Sequence, residues 1–143
     1  MYLIVVGAGP IGVAFLEQVL ERGHDAVLIE PDATLAERMA ARFDIRVLHA
    51  SIADGSIADE AGFDRADAVV ATTNDDAANL MATFLGREKQ VATLVSIVND
   101  AEHRGLFERI DTHVLLDPEE IVARHLYDML RRPDEVEASG PRT

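Results

Sequence analysis

The chain has 143 residues, with 26 acidic against 13 basic side chains, a formal net charge of −13 and no cysteine. That length fits one domain, which buries roughly 70% of its unfolded surface. The missing thiols exclude disulfides, thiolate zinc sites and a cysteine nucleophile. The acid excess argues against a nucleic-acid partner, which needs a positive face to meet phosphates.

No apolar run reaches the ~20 residues of a membrane span, so no direct membrane insertion is expected. The N-terminus has no basic stretch ahead of Leu3, and its apolar run is only a strand long, which speaks against a secretory leader. Work at a membrane then requires another chain to supply the membrane part. The lack of cysteine suits a reducing cytoplasm.

In chain order, the strand Tyr2–Val6 runs straight into Gly7-Ala8-Gly9-Pro10-Ile11-Gly12, a G-x-G-x-x-G turn. A helix, Ile11–Arg22, follows, and Gly23 is a natural stop. The next strand, Ala26–Ile29, ends in Glu30. Strand, glycine turn, helix, strand and acid are the order of a dinucleotide-binding unit, with the acid about 20 residues on. Gly7 allows the tight turn. Gly9 leaves room for a pyrophosphate, and Gly12 lets the helix pack close to the strand. The helix N-terminus, with Pro10 and Ile11 at its start, offers unpaired N–H groups to phosphates. Glu30 can accept from ribose hydroxyls and would repel a 2′-phosphate.

The pattern then alternates. A helix Ala33–Phe43 is capped by Asp32, and a strand Arg46–His49 and a short helical turn Ile57–Ala61 come next. The strand Ala68–Ala71 leads to a helix Asp75–Arg87. The strand Thr93–Val98, a helix Ala101–Ile110 and a strand His113–Leu116 complete the series. Asp117-Pro118 opens a last helix, Pro118–Arg131, with an acidic cap and a first-turn proline. The fold class is α/β: a Rossmann-type doubly wound parallel sheet of about six strands with helices on both faces. Residues 1–132 form this domain. Residues 133–143, rich in Pro, Gly, Ser and charge, read as a flexible tail or linker.

Ligand contacts fall at the carboxyl ends of strands near the switch in strand order. Thr72, Thr73 and Asn74, after the fourth strand, can bond phosphate or ribose; Asn74 or Asp75 can equally cap the next helix. Ser51 can meet adenine or ribose, or form an ST-turn. Asn99-Asp100 is a further edge, with helix capping as its alternative. Catalytic groups are not evident. No two of His24, His49, His103, His113 and His125 form a His-x-x-x-His pair, so no metal site is expected. There is no G-x-S-x-G elbow, no Tyr-x-x-x-Lys relay and no G-K-[ST] phosphate loop.

Four blocks resemble the TrkA N-terminal (KTN/RCK) nucleotide-binding domain of potassium-transport regulators. They are Val5 to Gly12, Gly23 to Glu30, Ala61 to Leu80, and Ile97 to His103 with Asp117 to Glu120. The third is the most specific, running Ala66-Asp67-Ala68-Val69-Val70-Ala71-Thr72-Thr73-Asn74-Asp75-Asp76 and on to Asn79-Leu80. The resemblance implies a non-enzymatic, cytoplasmic regulatory subunit or domain serving a membrane cation transporter or channel. It implies NAD(H) as cofactor, with ATP or ADP as the other choice, and a homodimer or larger ring. Gly7, Gly9, Pro10, Ile11 and Gly12 would hold the phosphates and Glu30 the ribose, with Thr72, Thr73 and Asn74 closing over the ligand. One departure is Ala50-Ser51, where the family has Gly-Asp, which puts the adenine contact in question. Dimerisation through the faces of the Asp75 and Pro118 helices is a family expectation. Two rival readings stand beside this one: the cofactor half of an NAD-dependent oxidoreductase, and an interaction scaffold that binds no ligand.

Overall fold

The computed structural model describes residues 1–130. Six strands, β1 (Tyr2–Val6), β2 (Asp25–Glu30), β3 (Arg46–His49), β4 (Ala68–Ala71), β5 (Thr93–Val98) and β6 (His113–Leu116), form one sheet in the order β3-β2-β1-β4-β5-β6. Every neighbouring pair is parallel. The central strands are apolar along their whole length because helices cover both faces. Along β1, Ile4 and Val6 join one core cluster while Leu3 and Val5 join the other, the period-2 alternation of a strand buried on both sides.

The helices α1 (Pro10–Glu21) and α2 (Ala33–Arg42) close one face, with Leu16, Val19 and Met39 packed on Leu3, Val5 and Leu28. On the other face lie α3 (Ile57–Ala61) and α4 (Asp76–Glu88). They bring Ile57, Ala61 and Ala82 against Ile4, Val69 and Leu94, with Phe63 filling the space beside them. Then come α5 (Arg104–Glu108), whose Phe107 is fully buried, and α6 (Pro118–Met129), which buries only Pro118.

The expected α/β architecture is present, and the six strands fall where the sequence placed them, β2 being longer by one residue at each end. The helix expected over Ala101–Ile110 differs. It is a 3-10 turn, Ala101–His103, followed by the short α5. The Asp100 carboxylate accepts from the Glu102 N–H and tightens the entry, and Gly105 lowers helix propensity beyond it. The first helix starts at Pro10 rather than Ile11, since proline's fixed φ suits the first helical position. The C-terminal end expected for the last helix, Arg131, and the expected tail or linker at 133–143 lie outside the described residues.

The strand order reverses between β1 and β4, so their carboxyl ends lie side by side. Two glycines set the turn there. Gly7 has φ +104°, a left-handed value that strains any side chain. A Cβ at Gly12 would lie 2.0 Å from the Gly7 carbonyl oxygen and 2.8 Å from Thr72 Oγ1. Gly12→Ala is therefore expected to push α1 off the sheet and cost at least about 2 kcal/mol. Equilibrium denaturant unfolding measures this, and a cost near zero would show that α1 can withdraw freely.

Candidate functional site

The carboxyl ends of β1, β2, β4 and β5 and the start of α6 surround a cavity of about 730 Å³. Gly7, Gly9, Pro10 and Ile11 form its floor, and Glu30 lines one side. Thr72, Thr73 and Asn74 line the opposite side. Ser51 does not line it; the next residue, Ile52, does, 7% exposed. The Ser51 hydroxyl oxygen accepts from the Ala53 N–H at 3.1 Å, an ST-turn. Gly12 lies behind the floor and holds the close approach of α1.

The glycine turn leaves donors open. The Gly7 N–H bonds to the Ile29 carbonyl at 3.0 Å, and the Val13 N–H to the Gly9 carbonyl at 3.0 Å. Pro10 has no N–H. The N–H groups of Gly9, Ile11 and Gly12 meet no protein acceptor among the described residues. Together with the positive end of α1 they make a seat for an anion. A Cβ at Gly9 would meet nothing within 4 Å, so the cavity stays open directly over it.

Glu30, 6% exposed, has a structural task that the sequence did not reveal. One carboxylate oxygen accepts from the Ala8 N–H and the other from the Asp32 N–H, both at 2.8 Å. It ties the glycine turn to the start of α2. An ionised carboxylate has about four acceptor sites, so two remain for a ligand hydroxyl.

On the other side, the hydroxyls are divided. Thr72 Oγ1 donates to the Val6 carbonyl at 2.9 Å and lies 3.2 Å from that of Gly7, pinning the end of β4 to the end of β1. Thr73 Oγ1 lies 2.6 Å from Asn79 Oδ1 and accepts from the Asp75 N–H at 3.1 Å. Asn74 is exposed at the cavity and makes no side-chain hydrogen bond among the described residues. Asp75 caps α4 by accepting from the Ala77 N–H at 2.9 Å.

Asn79, fully buried, is the residue that site reasoning missed. Its amide nitrogen donates to the Thr73 and Ile97 carbonyls at 2.9 and 3.0 Å, and its oxygen accepts from the Thr73 N–H at 3.1 Å. A buried amide satisfied on both ends fixes the loop after β4 against β5. The available signal was a polar side chain on the helical face that also carries Ala82, Thr83 and Gly86.

Asp76 does similar work for the β5 edge. It accepts from the Asn99 and Asp100 N–H groups at 2.8 and 3.0 Å, from the Asn99 amide at 2.9 Å and from His103 Nδ1 at 2.8 Å. Asn99 in turn lines the cavity and donates to the Thr73 carbonyl at 3.1 Å. Burial alone would raise the Asp76 carboxyl. The hydrogen bonds from Asn99, His103 and Asp100 outweigh it and hold the carboxyl below its ordinary value. The bond to Asp76 raises His103 above the usual histidine value against some desolvation, with the Asp100 and Glu102 charges assisting.

A raised histidine stabilises the fold below its unfolded value and loses that contribution as pH rises through its folded value. A lowered aspartate contributes above its unfolded value and loses that contribution as pH falls through its folded one. The pair is thus fully effective between about pH 4 and pH 6.5. The melting-temperature gap between the parent and His103→Gln should be widest there and narrow as pH rises through the folded histidine value. A gap that ignores pH would show that His103 is not charged in the pair.

The TrkA-N domain family model matches residues 3–118. A Trk system potassium uptake protein TrkA homolog from Methanothermobacter thermautotrophicus is 30% identical over 133 residues, covering 93% of this chain and 62% of its own length. The chain spans less than two thirds of the relatives it matches, and of some less than a third. Among solved structures, the TrkA-N domain of the inner membrane protein ybaL from Escherichia coli superposes with a TM-score of 0.79 at 18% identity, covering 91% of this chain and 96% of that one. The GsuK channel bound to NAD superposes with a TM-score of 0.71 at 16% identity, over 80% of this chain and 21% of that one. These structural likenesses concern the fold. The family match spans most of the sheet and the whole glycine turn, and the chain belongs to the TrkA-N domain family.

Proposed function

We propose that this chain is a cytoplasmic nucleotide-binding regulatory subunit or domain of a potassium or other cation transport system, with NAD(H) as its first ligand and ATP or ADP as the second. The observation that carries this reading is the open N–H groups of Gly9 and Ile11, which line a cavity at the switch point of the sheet, with that of Gly12 just behind them. The phosphates sit on these groups. Glu30 takes the adenosine ribose with its two spare acceptor sites, and Asn74 and Thr73 close the opposite edge.

Two further facts support regulation over hydride transfer. Among the described residues the cavity lining holds no histidine, lysine, tyrosine or cysteine, and two of its three carboxylates, Glu30 and Asp75, are already engaged by backbone N–H groups. The relative from Methanothermobacter is named for potassium uptake, and one structural neighbour is a channel solved with NAD. No helix among the described residues is long and apolar enough to cross a membrane.

Self-association is part of the same reading. Val122, Leu126 and Tyr127 on α6 are 58, 59 and 68% exposed, and Met81 and Phe84 on α4 are 41 and 47% exposed. Such apolar surface on a regulator suits a homodimer or ring. Sedimentation should show a dimer or larger species, reduced to monomer by Leu126→Asp. A monomeric parent protein would remove this part of the proposal.

Calorimetric titration of ligand-free protein with NAD, NADH, ATP and ADP tests the site. Gly9→Asp has room for its side chain and sets a carboxylate over the phosphate seat, so it should fold and lose at least about tenfold in affinity, ~1.4 kcal/mol. An unchanged affinity would move the site elsewhere.

A further inference from the structure

The cavity has a one-sided charge. Among the described residues its lining contains three carboxylates, those of Glu30, Asp75 and Glu119, and no lysine, arginine or histidine. The positive potential comes from helix ends alone, chiefly α1 with its open N–H groups. That arrangement suits the pyrophosphate of a dinucleotide. It offers nothing to neutralise a further phosphate, which would face carboxylates instead.

The three acids are not equivalent. Glu30 is buried and held by two backbone N–H groups. Asp75 spends one oxygen on its helix cap. Glu119, in the first turn of α6, is exposed and makes no hydrogen bond or ion pair among the described residues. The halves of the cavity also differ. Glu30, Leu35 and Ile52 line the side towards β2 and β3, where the adenosine belongs. Asp75, Asn99 and Glu119 line the side towards β4, β5 and β6, which receives the second nucleoside.

We propose that Glu119, with Asp75 on the same half, is a specificity determinant that makes this cavity select an oxidised nicotinamide dinucleotide over its reduced form and over nucleoside triphosphates. The oxidised ring is a pyridinium cation and meets a free carboxylate. The reduced ring is neutral and gains nothing there. A triphosphate brings more negative charge to an edge that is already negative. The protein then responds to the redox poise of the nicotinamide pool. This inference rests on the cavity being a nucleotide site.

The test is calorimetric titration of the parent protein, Glu119→Gln and Glu119→Lys with NAD, NADH, ADP and ATP, in chelator so that no divalent cation masks phosphate charge. The parent should bind NAD roughly three- to tenfold more tightly than NADH, and ATP most weakly. Glu119→Gln should narrow the NAD/NADH ratio, and Glu119→Lys should narrow it further and raise ATP affinity. A parent that binds NADH or ATP as tightly as NAD overturns the charge selection while nucleotide binding stands. A ratio unmoved by both variants does the same for Glu119. Heat from none of the ligands with any of the three proteins overturns the nucleotide reading and this inference with it.

Discussion

The close contact of α1 with the end of β1 is the constraint on which the rest depends. Gly12 comes so near the Gly7 carbonyl that no side chain fits between them, and Thr72 Oγ1 lies against the same carbonyl. Three chain segments, the glycine turn, the start of α1 and the end of β4, thus meet at one point. Because the helix begins that close to the sheet, its first residues, Pro10 and Ile11, line the cavity. Because Pro10 occupies the first helical position, the turn has one fewer unsatisfied donor and a preset φ. The anion seat is therefore a consequence of packing; no basic side chain is needed to make it.

Around that point the site is held by buried amides and carboxylates, with one ion pair, Asp76–His103, among them. Glu30 fastens the glycine turn to α2, Asn79 fastens the loop after β4 to β5, and Asp76 fastens the β5 edge to His103. Each is largely buried; Glu30 and Asn79 bond mainly to backbone groups, and Asp76 divides its bonds between backbone N–H groups and the side chains of Asn99 and His103. Thr73 and Asn99, which line the cavity, are also bonded into the Asn79 and Asp76 networks, which reach α4 and the turn before α5. The ion pairs elsewhere, such as Arg124–Glu120 and Lys89–Asp59, are exposed and add little. Helix α6 stands apart from both networks. It buries only Pro118, and Val122, Leu126, Tyr127 and Met129 are exposed.

The alternation of short apolar runs with helical segments was enough to place all six strands and the longer helices, because a sheet buried on both faces leaves a dense apolar signature at each strand. The glycine spacing located the floor of the cavity for the same reason: only glycine tolerates the φ of Gly7 and the approach at Gly12. Thr72, Thr73 and Asn74 were legible as the opposite edge because they directly follow a strand that must lie beside β1. The Ala101 helix was less legible, since the tight turn at its start depends on the Glu102 N–H donating to the Asp100 carboxylate and on the bonds that Asp100 and His103 make to Asp76.

What the sequence determined by itself was therefore local: periodicity, turn chemistry and the glycine turn with its open N–H groups. What only the tertiary structure decided was how the polar groups are shared. It assigned both Glu30 oxygens to backbone N–H groups and turned Ser51 into an ST-turn while Ile52 faces the cavity. It buried Asn79 as the brace of the β4 loop and brought Glu119, more than a hundred residues from the glycine turn, to the same cavity. The physical reason is that a hydrogen-bonding group has several possible partners in an extended chain. Which one it takes is fixed by the neighbours that strand order brings within about 3 Å.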